Sequence, residues 1–422
     1  MLFRSGPEPA ELISATLGLD RSVLPVQGPP GTGKSYRAAR MIVAALQAGR
    51  RVAVCANSHA AIRNLLQMVE GHAHEQGFAF RGVYKGDGYV SAHGLVEQVG
   101  DNGQTYDDAY SLVAGTSWLL SCEKHRERFD TLFIDEAGQF SLAAAVAVGA
   151  CARSIVLLGD PQQLPQVNQA SHPPGAGASV LEHLLDGHDV VQTGRGVLLD
   201  ESWRMHPDVC AFVSERSYES RLRSRPCCSA RRIDAPGAIT GVGLRSLAIE
   251  HADRSQDSPE EADAIAAACR TLLSGGTVTD EKGHARPLTP ADLLVVAPYN
   301  LAVTRIRRAV PEGVRVGTVD MFQGQEAPVV FYAMTCSSGE DVPRGLDFLF
   351  SRNRLNVAIS RAQCIAILVH APRLLDSDCN TLAQMALVDG ACRFIELASP
   401  LYPAAESSSI ASASQGPTRL AG

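Results

Sequence analysis

Residues 28–35 read GPPGTGKS, and no other stretch limits so tightly what this chain can fold into. Glycine and proline at these spacings suit neither a strand nor a helix interior. They bend the backbone so that several N–H groups point into one concavity, where glycine adopts φ/ψ values that other residues resist. The spacing GxxxxGK[ST] is a phosphate cradle. VLPVQ, Val23 to Gln27, reads as a short strand entering it. Beyond it Ala39, Ile42, Val43 and Leu46 recur at helical spacing, so the anion belongs at the N-terminus of a packed helix, where free N–H groups and the macrodipole favour negative charge. In such a cradle Gly28, Pro29, Pro30, Gly31, Thr32 and Gly33 wrap the phosphates. Lys34 reaches the β and γ phosphates, and the Ser35 hydroxyl ligates Mg²⁺.

A strand–loop–helix unit needs a sheet. RVAVCA from Arg51, SLVAGTS from Ser111, TLFIDEA from Thr131 and SIVLLGD from Ser154 alternate with helical patterns, which predicts a mainly parallel, doubly wound α/β sheet. After Gly194 the alternation restarts with GVLLDESW, LLVVAPYN, VRVGTVD, PVVFYAMT and CIAILVHA, so a second α/β unit is expected. The expected boundaries are residues 1–195, with a small insertion at about 71–110, then 196–402, then a Ser/Ala/Gly-rich tail over 403–422 that composition marks as disordered. A chain of 422 residues, 45% hydrophobic and 20% charged, has room for large cores.

Composition also excludes some classes. The longest near-continuous apolar run, LAAAVAVGACA from Leu142, is too short to span a bilayer, and no basic start leads into an apolar signal core, so no membrane partner and a cytoplasmic location are expected. The 11 cysteines include no CxxC pair and read as reduced, buried thiols. A formal charge of −7 argues against a histone-like coat on nucleic acid. The arginine-rich run SRLRSRPCCSARR from Ser220 fits a solvated loop as well as it fits phosphate contacts.

Two further segments carry chemistry. TLFIDEA is an apolar strand ending in two acids. Asp135 is placed to hold Mg²⁺ through water, and Glu136 to orient or deprotonate an attacking water. LLGDPQQLPQV again sets polar groups after a buried strand, with Gln163 expected to sense the γ phosphate.

In order along the chain, GPPGTGKS, DEAGQ, GDPQQLP, DESWRMHP, VGTVDMFQGQEAPVVF and NRLNVAISRAQ resemble the motifs of superfamily 1 helicases. The resemblance is to the branch that includes the nonsense-mediated-decay helicase and the replication nuclease-helicases, and it runs from Gly28 to about His370. VQGPPGTGKSYRAARMI and ANSHAAIRNLL are particularly similar to the helicase half of bacterial fusions that join a RecB-type nuclease to this motor. The chain itself shows no nuclease acid–Lys constellation.

The resemblance implies two RecA-like domains facing a shared cleft that takes ATP and Mg²⁺. It implies that Arg204 and Arg361 act as arginine fingers from the second domain. Around Arg361, the apolar positions Leu355, Ala358, Ile359 and Ala362 fit a helix that aims it. Trp203 stands where this branch often stacks an aromatic on adenine, and Gly324 and Glu326 where it couples nucleotide to polynucleotide. Ser58, His59, Thr116 and Thr318 fall where the family contacts a single-stranded backbone, although Ser58 reads equally as a helix cap. Glu11 occupies the place of the family's adenine-reading glutamine. The implied activity is an ATP-dependent helicase or translocase on single-stranded DNA or RNA, with DNA favoured, moving 5′ to 3′ in repair or recombination, with a RecB-like nuclease domain or protein as partner. The rival is an ATPase clamp stimulated by nucleic acid that does not unwind.

Overall fold

The computed structural model describes residues 9–166, 173, 175–322 and 324–401. The tail expected from residue 403 lies outside them. The chain divides into two compact units. One runs to Trp203 and takes back Ser217–Arg223; the other has Arg204–Arg216 and the chain from Ser224.

The first unit is built on eight strands: β1 (Val23–Gln27), β2 (Val52–Cys55), β3 (Gly82–Lys85), β4 (Val96–Val99), β5 (Leu112–Gly115), β6 (Phe129–Ile134), β7 (Ala152–Gly159) and β8 (Val197–Leu198). Their order is β4-β3-β5-β2-β6-β7-β1-β8, and every pairing is parallel. Parallel strands need crossovers and bury both faces, which is why the central strands read as unbroken apolar runs. Alternate residues part to opposite sides. Val52 and Val54 join the core under α1 (Pro9–Leu17), α2 (Lys34–Gln47) and α3 (His59–Glu75). Ala53 and Cys55 join the core under α4 (Ser117–Leu120), α5 (Leu142–Gly149) and α6 (Val180–Leu185).

Two features differ from the sequence expectation. GVLLDESW was assigned to the second unit, yet Val197 and Leu198 pair with Val26 and Gln27 of β1, so the first unit extends past residue 195 to Trp203. A two-residue strand carries no signal of which sheet it will complete. The stretch at about 71–110 supplies β3 and β4, which lengthen the main sheet at its edge. Buried Glu70 of α3 ties it down, accepting hydrogen bonds from the Tyr89 and Ser91 hydroxyls and the Leu95 and Val96 N–H groups.

His125 is fully buried between the rings of Tyr106 and Phe129, with Nε2 3.1 Å from the Thr105 hydroxyl. Burial, then the charges of Arg128 and Arg51, push its pKa down to about 4. The unfolded imidazole titrates near 6.5, so its contribution is complete above that pH and is lost as pH falls toward 4, about 3 kcal/mol at most at ~1.4 kcal/mol per unit. Urea midpoints measured from pH 7 to 4 should therefore fall less steeply for His125→Phe than for the parent chain.

The second unit holds a six-stranded sheet of β9 (Gly243–Ala248), β10 (Leu293–Ala297), β11 (Arg315–Thr318), β12 (Ala327–Ala333), β13 (Ala362–His370) and β14 (Ser399–Leu401), in the order β11-β10-β12-β13-β9-β14. These pairings are also parallel. Helices Pro259–Leu273 and Asn300–Ala309 cover one face with Ile265, Ala266, Cys269, Val303 and Ile306. Ser258 starts the first of these, its hydroxyl accepting from the Glu261 N–H at 3.1 Å. The expected fold class, two mainly parallel α/β units, is what the structure shows. Among the described residues no helix is long and apolar enough to cross a membrane.

Candidate nucleotide site

The cradle forms where β1 ends. The Gly28 N–H donates to the Gly159 carbonyl at 2.8 Å, and the Thr32 hydroxyl closes a turn on the Pro29 carbonyl at 2.8 Å. Gly31 and Gly33 adopt φ of 76° and 72°, the left-handed region that favours glycine. Gly33 is the N-cap of α2, so the first helical residue is Lys34. A Cβ on Gly28 would stand 3.1 Å from Cβ and Cδ of Lys34, so glycine here leaves room for the lysine stem.

The acids arrive from β6, separated from β1 by β7. Lys34 Nζ lies 3.3 Å from Glu136 Oε2. Burial alone would lower the lysine pKa, but Glu136, Asp135 and Asp160 outweigh it and raise it, so the ammonium is held charged. Burial pushes the Asp135 carboxyl up, against the pull of Lys34. Such a carboxylate gains from a cation beside it. Glu136 sits at φ 53°, ψ 39°, a left-handed conformation that costs a non-glycine residue about 1–3 kcal/mol.

Asp160 is the residue the sequence did not single out. Its buried carboxylate accepts from the Tyr218 hydroxyl at 2.7 Å, Gln163 Nε2 at 2.9 Å, the Gln162 N–H at 3.2 Å and Gln27 Nε2 at 3.4 Å. Burial raises its pKa, and Tyr218, Gln163 and Lys34 counteract that rise. Gln163, expected at the γ phosphate, is thus oriented by an acid three residues before it. A clue was available: LLGD ends a buried strand in an acid as FIDEA does. Tyr218, in the segment that returns to this unit, had no such signal. The two acidic loops meet backbone to backbone, since a Cβ on Gly138 would fall 2.5 Å from the Asp160 carbonyl oxygen. Tyr218→Phe should lower stability by about 1–2 kcal/mol in chemical denaturation, the cost of removing one donor from a buried carboxyl.

Ser35 is the second residue of α2, and the Trp203 N–H donates to the Gly31 carbonyl at 2.9 Å, which sets a half-exposed indole beside the cradle. Glu11 lies exposed on α1.

In the second unit three sequence motifs converge. Arg204 Nε donates to Glu326 Oε2 at 2.5 Å and its Nη1 to the Ser360 carbonyl at 3.1 Å. Gln363 Nε2 donates to Glu326 Oε1 at 2.8 Å. Arg361, 1% exposed, donates from Nε to the Val357 carbonyl at 3.0 Å and from Nη1 to that of Gln325 at 3.1 Å. Arg361 is not on the helix, which was expected to carry it: the helix ends at Ile359 and β13 begins at Ala362. The apolar positions belong to both elements, and periodicity alone does not mark the junction. Gly324 adopts φ 81° two residues before Glu326.

Of the expected strand contacts, three share one edge. Ser58 follows β2 and caps α3, accepting from the Ala61 N–H at 3.1 Å. His59 Nδ1 lies 2.7 Å from the hydroxyl of Tyr84 in β3, and Thr116 stands at the N-cap position of α4 after β5. β3, β5 and β2 are neighbours, so all three stand at the carboxyl edge of the first sheet. Thr318 ends β11 of the second sheet.

Two family models, both described as an AAA domain, match residues 6–173 and 176–372. The zebrafish (Danio rerio) putative helicase mov-10-B.1 is 26% identical over 84% of this chain and 40% of its own length. DNA-binding protein SMUBP-2 of Mesocricetus auratus is 24% identical, over 85% and 42%. The DNA replication ATP-dependent helicase/nuclease JHS1 of Arabidopsis thaliana is 25% identical, over 83% and 27%. The chain thus spans less than half the length of these relatives. A solved complex of an Arterivirus helicase, nonstructural protein 10, with DNA aligns over 86% of this chain and 63% of that one, at 16% identity and a TM-score of 0.45. The two tandem AAA-domain matches and the helicases among these relatives make the chain similar to helicases along most of its length, in agreement with the motif resemblance to superfamily 1.

Proposed function

We propose that the chain is an ATP-dependent motor that hydrolyses ATP at the cradle and moves on single-stranded nucleic acid, DNA before RNA. The observation that carries this reading is the cluster of Lys34, Asp135, Glu136 and Asp160 at one phosphate loop, because it sets a cation and three acids together where a triphosphate, its metal ion and a water would be held. The backbone of residues 28–33 wraps the phosphates and Lys34 neutralises them. Ser35 and Asp135 are the residues that would hold Mg²⁺, which would neutralise the phosphate oxygens when bound; a buried, charge-averse carboxyl beside the loop fits that ion. Glu136 takes the proton of the attacking water, Gln163 reads the γ phosphate, and Trp203 lies against the base. Arg204 and Arg361 add positive charge to the transferred phosphoryl group, with Gly324 and Glu326 linking that step to the strand. Ser58, His59, Thr116 and Thr318 contact phosphodiesters without reading sequence.

Movement 5′ to 3′, a role in repair or recombination, a cytoplasmic location and a RecB-like nuclease partner complete the proposal; they rest on the motif resemblance, to which the similarity to a helicase/nuclease adds support. A strand-displacement assay on duplexes with a 5′ or a 3′ overhang tests it. Displacement from the 5′ overhang is expected. Displacement only from the 3′ overhang reverses the direction, and ATPase stimulation with no displacement makes the chain a clamp.

A further inference from the structure

The carboxyl edge of the second sheet carries an arrangement that the motor reading leaves unused. Phe348, half-buried on the short helix Leu346–Leu349, has two guanidinium groups over its ring, those of Arg344 and Arg354, each 4.3 Å from the centroid. Beneath it lies the buried ring of Tyr299, 5.7 Å away and tilted by 31°. Tyr299 follows β10 and Thr318 ends β11, its neighbour in the sheet, so the aromatic pair and Thr318 share one edge. Arg354 is also tied to Asp320, two residues past Thr318, at 3.4 Å.

The two arginines are held differently. Arg354 is mostly covered and has a carboxylate. Arg344 is exposed, and among the described residues no carboxylate lies within ion-pair distance of it. Two acids near it in sequence are engaged elsewhere: Asp341 accepts from the Ser338 hydroxyl and Asp347 from the Gln384 amide. A guanidinium lying on a ring face loses rotamer freedom yet keeps its in-plane N–H donors for a second ligand, and the planar fork matches two oxygens of a phosphate. Exposed Met321 and Leu301, on the same edge, add apolar surface against which bases can lie.

We infer that Arg344, presented on Phe348, binds a backbone phosphate of single-stranded nucleic acid and carries the strand path past Thr318. The inference rests on the nucleic-acid reading above. The test is equilibrium binding of fluorescein-labelled oligo-dT and oligo-U to the whole chain over a salt series. Arg344→Gln should weaken binding about fivefold to tenfold at 0.1 M salt and reduce the slope of log affinity against log salt by about 0.7, the share of one phosphate contact on a single strand. Phe348→Leu should weaken binding while all charges remain, and Arg153→Gln, which removes an exposed arginine paired with Asp20, should change little. Wild-type binding with both Arg344→Gln and Phe348→Leu unchanged in affinity and slope overturns this site alone. A wild-type chain that binds neither oligonucleotide overturns the nucleic-acid reading and this site with it.

Discussion

Lys34→Ala is expected to lower the turnover of ATP by about 10²–10³-fold, the effect of removing one preorganised charge from a transition state that gathers negative charge. The lysine faces Glu136 at 3.3 Å and feels Asp135 and Asp160 as well, so its loss leaves three carboxyl groups without their cation. The variant should stay folded, so the loss falls on the chemical step. Steady-state ATPase rates beside a melting curve check this. Turnover within threefold of the parent would contradict the assignment of the cradle.

Arg361→Ala carries the second large effect, and it separates two roles. In the role proposed above, a charge on the transferred phosphoryl group, Arg361 would supply about 10³-fold in rate. As a buried side chain it also donates to the carbonyls of Val357 and Gln325, and losing both bonds, with the Gln325 carbonyl left without this donor, costs about 2–3 kcal/mol. The variant should therefore lose both rate and stability. Arg204→Ala should lose rate with a smaller stability cost, because it removes a donor from one buried carbonyl, that of Ser360, while its other partner Glu326 is 43% exposed and can be solvated. Equal stability losses in the two variants, or full activity in either, would contradict the pairing of roles.

Much of the first unit was legible because its signals are local. The glycine spacing at residues 28–33 fixes a loop, and four apolar runs ending in polar residues fix the strands around it. Asp135 and Glu136 could be read because they end a strand, and the ion pair to Lys34 follows from where that strand lies. What escaped depends on long-range pairing. Asp160 gains its importance from Tyr218 and Gln27, which are far from it in sequence, and β8 is too short to announce its sheet. Arg361 was visible as a motif residue, but the junction that holds it, between a helix and a strand sharing apolar positions, was not.

The steady-state ATPase rate of the purified chain, with and without single-stranded DNA or RNA and with Lys34→Ala as control, tests the central claim most directly. A stimulation of at least about tenfold by a single strand, absent in the Lys34 variant, is the expected result, since the proposed motor cycle couples strand contacts to the cradle. Hydrolysis that depends on Lys34 but is indifferent to every polynucleotide would contradict it and make the chain an ATPase of another kind.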